Sequence, residues 1–181
     1  VSVQPITFFG DPVLRARARE VVDFDKALRG LVQDLWDTME QQGGAGVAAP
    51  QIGVSLRVFA YHCAGHAGHL VNPTVRLLGH DLDEEPEGCL SVPGMSSPCR
   101  RADRVLATGW NMHGEKIQIQ GEGLLARCLQ HELDHLDGVL YIDRLSSERA
   151  ARVMRDIRQT AWFDGEDLSA EESSPALARR Y

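Results

Sequence analysis

Residues 130–138 read QHELDHLDG, two histidines and a glutamate in an arrangement that makes chemical sense only on a helix. His131 and His135 are four apart, so on a helix both rings leave one face, one turn above the other, and can reach a single metal ion. Glu132 lies between them. Its carboxylate points beside the ligand pair, too strained to be a third ligand from the same helix but placed to take a proton from a metal-bound water. Leu124, Leu125, Cys128, Leu129, Leu133 and Leu136 recur at helical spacing, and Gly138 is a natural stop. The metal face and the buried face therefore adjoin. Taken alone, the motif also fits a helix with two surface histidines, so it needs support from elsewhere in the chain.

Two histidines leave a catalytic site one protein ligand short of the three that keep a position open for water. Downstream, Asp143 and Glu148 offer carboxylates. Upstream, EGCLSVPG at residues 87–94 sets Cys89 between Gly88 and Leu90, where a thiolate would complete a Cys-His-His site; an ordinary buried thiol is the alternative. Further back, GGAGVAAPQIG at residues 43–53 is rich in small residues that let another chain or ligand approach the backbone. Val47, Ala48 and Ala49 are too apolar for a solvated linker, so this segment reads as one wall of a site, with Gly46 and Gln51 its residues of interest.

The remaining pattern supplies the frame. Residues 25–42 keep a helical period through Leu28, Leu31, Val32, Leu35 and Met39, ended by Gly43 and Gly44. Residues 56–61 and 69–72 read as strands around an AGHAG loop, with His62 and His66 at the surface. Residues 81–87 are an acidic run, read as a solvated loop. Residues 104–110 and 116–120 form a hairpin with His113 and Gly114 in its turn. Residues 147–161 read as a last helix, burying Val153, Met154 and Ile157 and carrying Arg149, Arg152, Arg155 and Arg158 on its other half. The expected fold is α+β: small antiparallel sheets around the motif helix, with an N-terminal and a C-terminal helix, in one domain over residues 1–163. The acidic, serine-rich tail at 164–181 has little to bury.

A chain of 181 residues can bury a core without disulfide stapling. Cysteines at 63, 89, 99 and 128 lack the two-residue spacing of a zinc knuckle or redox pair. A net charge of −7 argues against a general basic surface for nucleic acid, so no specific DNA binding is expected. The absence of a membrane span or signal pattern points to a reducing cytoplasm.

Three stretches, GAGVAAPQ at 44–51, EGCLS at 87–91 and QHELDHLDG at 130–138, resemble in order and approximate spacing the signature motifs of the peptide deformylase family. The likeness runs from GDPVL at 10–14 to the final helix, and the CLQHE wording with the arginine-rich helix is similar to deformylases of actinobacterial type. The resemblance implies that Cys89, His131 and His135 hold one divalent metal, Fe²⁺ in many members, with Zn²⁺, Ni²⁺ or Co²⁺ able to substitute. It implies Glu132 as general acid and base, and Gln51 with the Leu90 backbone N–H as donors to the oxyanion. The implied substrate is a nascent chain beginning with N-formylmethionine, and the implied product is formate. Its backbone would lie along Gly44, Ala45, Gly46 and Val47, with Glu87 and Gly88 on the far edge. The methionine side chain would meet Ala45, Gly46, Leu124 and Cys128. Arg101 resembles the family's arginine that steadies Glu87, whereas Arg127 departs from the apolar residue expected near the pocket. An H-E-x-x-H protease cutting internal peptide bonds is the competing enzyme class, and the arginine-rich last helix suggests a ribosomal surface as partner.

Overall fold

A computed structural model describes residues 2–163; the tail expected at 164–181 lies outside the described residues. Three helices and seven strands are ordered along it. Helix α1, Lys26–Gln42, opens on Asp25, whose carboxylate accepts from the Leu28 N–H at 3.0 Å, and closes on Gly43 in the left-handed conformation. Strands β1 (Gly46–Ala48), β2 (Val58–Cys63), β3 (His66–Leu77), β4 (Leu82–Cys89), β5 (Val92–Ala102), β6 (Arg104–Trp110) and β7 (Lys116–Glu122) lead to helix α2, Gly123–Leu136, and then to α3, Ser147–Ile157. Five strands make one antiparallel sheet in the order β1-β2-β3-β6-β7, and β4 pairs with β5 alone. This is the α+β architecture expected, with the motif helix at its centre.

The sheet is covered on both faces, which explains why β2 is buried from Val58 to Tyr61 without alternation. Val58 and Ala60 pack with Leu35 and Met39 of α1, while Phe59 and Tyr61 pack with Leu125, Leu129 and Leu136 of α2. Side chains as fully buried as Leu35, Met39 and Phe59 contribute roughly 1.5–3 kcal/mol each over exposure, so the sheet fixes where both helices lie. The C-terminus of α2 is held as firmly: buried Arg57 donates to the Leu136 carbonyl at 3.0 Å and to Asp137 at 2.7 Å. Gly138 at φ 73° turns the chain under Arg15, whose carbonyl a Cβ would meet at 2.4 Å.

Three expectations need correction. Residues 82–89 are a strand, not a solvated loop, because the acidic run faces a basic one: Asp83 stands opposite Arg101, and Glu84 opposite Arg100. Opposite charges across a ladder stabilise the pairing, and a strand without a second neighbour tolerates Pro86, Pro93 and Pro98. The AGHAG loop is instead a tight turn at Ala64 and Gly65, both at positive φ, which lets β2 and β3 extend to Cys63 and His66. Helix α3 also stops at Ile157, short of 161. The β6–β7 hairpin and its turn at His113 lie where the sequence indicated.

Candidate active site

Helix α2 brings His131 and His135 to one face, and the end of β4 brings Cys89 to them. Cys89 Sγ lies 3.2 Å from His135 Nε2, and His135 Nε2 lies 3.1 Å from His131 Nε2. Among the described residues these three form the group whose ligand atoms, all within 4.8 Å of one another, could hold a metal ion. Ligands on a tetrahedral ion with bonds of 2.0–2.3 Å sit roughly 3.3–3.8 Å apart, so the set needs only small adjustment. The donor chemistry agrees. Two imidazole nitrogens facing each other at this distance need a proton or a cation between them, and a thiolate beside them selects a borderline or soft ion.

His131 is oriented through its other nitrogen, whose Nδ1–H donates to Glu87 Oε1 at 2.6 Å. Glu87 is itself gripped by Arg101, Nη2 to Oε1 at 2.6 Å and Nε to Oε2 at 3.0 Å. Burial alone would raise the Glu87 pKa, but hydrogen bonds from His131 and Arg101 and their charges hold it far below the usual carboxylate range. Arg101 also donates to Asp134 at 2.6 Å, and Asp134 accepts from Arg144. The sequence resemblance pointed to Arg101 on Glu87; Asp134 and Arg144 carried no recognisable signal beyond Asp134's place on the buried side of the motif helix.

Glu132 is 3% exposed, with Oε2 buried and unpartnered, as a carboxylate awaiting water or substrate would be. Burial pushes its pKa up to about 7, opposed by the charge of His131 and assisted by that of Glu87. Such a group can both accept and return a proton near neutrality. Its room comes from Gly46: a Cβ there would stand 2.3 Å from Glu132 Oε1. Gln51, 1% exposed, has its amide orientation set because Oε1 accepts from the Ala48 N–H at 2.9 Å. Its Nε2 therefore points to Ser91 Oγ at 3.2 Å and Cys89 Sγ at 3.5 Å. Ser91 was missed from the sequence, as was the opening segment, whose Thr7 and Phe9 N–H groups bond the carbonyls of Gln51 and Ser91 at 2.8 Å.

A cleft of about 350 Å³ opens onto these groups. Gly44, Ala45, Gly46 and Gln51 make one side; Glu87, Gly88, Cys89 and Leu90 make the other. Leu124, Cys128, His131 and Glu132 of α2 make the floor, with Leu124 at the mouth, 57% exposed. Val47 is not among the lining residues: its side chain is fully buried with α1, so it can meet a ligand only through its backbone on the outer edge of β1. Arg127 lines the cleft without being a rim charge, for it is 5% exposed and turned toward Glu87.

A helix carrying H-E-x-x-H, joined by a cysteine from a hairpin and backed by a buried amide donor, defines the class of mononuclear metal hydrolases. Comparison with known proteins narrows the class. The polypeptide deformylase family matches residues 3–151. A peptide deformylase of Acidothermus cellulolyticus is 56% identical over 162 residues, 90% of this chain and 89% of that one. One from Parafrankia sp. is 49% identical over 97% of this chain and 96% of its own length. The crystal structure of a peptide deformylase from Legionella pneumophila superposes with a TM-score of 0.81 at 40% identity, covering 86% of this chain and 94% of that one. The chain belongs to the peptide deformylase family, and the two relatives compared by sequence come from actinobacteria.

Proposed function

We propose that this protein hydrolyses the formamide of an N-formylmethionyl chain, giving formate and a free methionine amino group. The observation that carries the reading is the meeting of Cys89, His131 and His135 beside a Glu132 and a Gln51 that are both buried and aimed into the cleft. When bound, the ion supplies Lewis acidity, making a water nucleophilic at neutral pH and polarising the formyl carbonyl. Glu132 takes the water's proton and passes it to the departing amine. Gln51 Nε2 and the Leu90 N–H bind the oxygen on which negative charge develops. The outer edge of β1 accepts the substrate backbone as an added strand, and Ala45, Gly46, Leu124 and Cys128 surround the methionine side chain.

The working ion in this proposal is Fe²⁺. A thiolate with two imidazoles suits Fe²⁺, Zn²⁺, Ni²⁺ or Co²⁺ and disfavours Mg²⁺ and Ca²⁺. The cytoplasm, where translation supplies the substrate, is the proposed site of action; among the described residues no helix is long and apolar enough to cross a membrane. The ribosome is the proposed docking partner of α3, whose exposed Arg152 and Arg155 lie away from buried Val153 and Ile157. Ribosome co-sedimentation that survives replacing Arg149, Arg152, Arg155 and Arg158 by glutamine would count against α3 as the docking surface. For the activity itself, protein loaded anaerobically with Fe²⁺ should release formate from a formyl-methionyl peptide; fragments from an internal-bond peptide instead would mark a protease.

A further inference from the structure

Arg127 sits one turn before His131 on α2 and, from the cleft wall, extends its guanidinium into the β4–β5 hairpin. Its Nη1 donates to Glu87 Oε2 at 2.9 Å and to the Cys99 carbonyl at 2.7 Å; its Nη2 lies 3.3 Å from both the carbonyl and Oδ2 of Asp83. A carboxylate offers about four acceptor sites. On Glu87 the donors are His131 and Arg101 Nη2 at Oε1, and Arg101 Nε and Arg127 Nη1 at Oε2, so every site is filled. The charges balance as well: Glu87, Asp83 and Asp134 face Arg101, Arg127 and Arg144.

We propose that Arg127 is a positioning residue for the metal site: by saturating Glu87 it fixes the oxygen that takes the His131 Nδ1 proton, and so keeps His131 Nε2 directed at the ion. Arg101 alone does not do this, because it is shared with Asp134 and leaves one buried lone pair of Glu87 Oε2 unfilled. A buried carboxylate in that state turns toward another donor or admits water, and His131 turns with it. Ligands whose outer partners are lost typically bind metal 10–100-fold more weakly.

The inference rests on Cys89, His131 and His135 being the ligands, and the test separates the two. Titrate metal-depleted wild-type protein with Co²⁺ against a competing chelator, recording the visible absorption of the bound ion, and repeat with Arg127→Met, Arg127→Lys and Asp83→Asn. Wild type should bind one Co²⁺ with an absorption showing thiolate ligation; if it does not, the ligand set itself is wrong. Arg127→Met should bind 10–100-fold more weakly with an altered spectrum, and Arg127→Lys should recover part of that loss. Asp83→Asn cuts the arm of Arg127 that does not touch Glu87 and should match wild type. Should Arg127→Met not fold, the ordering of wild type, Asp83→Asn and Arg127→Lys carries the same comparison. At saturating metal, Asp83→Asn should keep the KM for a formyl-methionyl peptide within about twofold of wild type. Equal affinity and spectrum in the Arg127 variants, or an equal loss in Asp83→Asn, would reduce Arg127 to a fastening between helix and hairpin.

Discussion

Gly46 and Glu132 show how one missing atom shapes the site. With 2.3 Å between a Cβ at position 46 and Glu132 Oε1, Gly46→Ala forces the carboxylate out of its place. The expected result is a folded protein with normal metal content and turnover reduced at least tenfold, checked by metal analysis beside formate release. Glu132→Ala should also keep near-stoichiometric metal while the rate falls by roughly two orders of magnitude or more, as for lost general acid and base catalysis. Cys89→Ala should behave differently and lose metal and activity together, since two imidazoles bind a divalent ion weakly. Cys89, His131, His135 and Glu132 were legible because spacing and motif wording carried them. Arg127 was not, because an arginine inside an apolar stripe reads as a rim charge until its partners on another hairpin are known. Its position four residues before His131, on the same helix face, was the available signal.

Helices were legible at the level of elements, with period and stop signals giving α1 and α2 almost to the residue. Strand β4 was hidden because a run of carboxylates is a loop signal unless the matching arginines across the ladder are seen. Irregular joints depend on contacts distant in sequence. Asn72 at φ 48° occupies the register shift between β3 and β6, and its amide exchanges two hydrogen bonds with the Val21 backbone, at 2.8 and 2.9 Å. The turn joining β6 to β7 gives a pH prediction. Half-buried His69 accepts from the Met112 N–H at 2.9 Å, and its partial burial, helped by the charge of His113, lowers its pKa from the ordinary value of 6.5. The unfolded chain therefore takes a proton first, and stability should fall as pH drops below about 6.5, until the folded form also titrates. Urea denaturation from pH 7.5 to 5 should show that slope, and His69→Gln should flatten it.

For the whole molecule, the proposed ligand set constrains the ion without choosing it. Zn²⁺ binds such a site more tightly than Fe²⁺ by the general affinity order, so protein isolated in air should carry mostly zinc. Reconstituted anaerobically, the Fe²⁺ form should release formate faster than the Zn²⁺ form and lose activity in peroxide through oxidation of the ion or of Cys89. A zinc form at least as fast, or an iron form indifferent to peroxide, would count against iron.

Helix α2 follows every strand it packs against. Until it has left the ribosome, the sheet face bearing Phe59, Leu70, Val105 and Ala107 has nothing to bury it, and Cys89 has no imidazole beside it. Folding of this chain is therefore governed by contacts distant in sequence, which form slowly and expose apolar surface meanwhile. With Cys89, His131 and His135 holding the ion as proposed, capture waits for that closure, and a newly made chain carries the Cys89 thiol before it carries its ion.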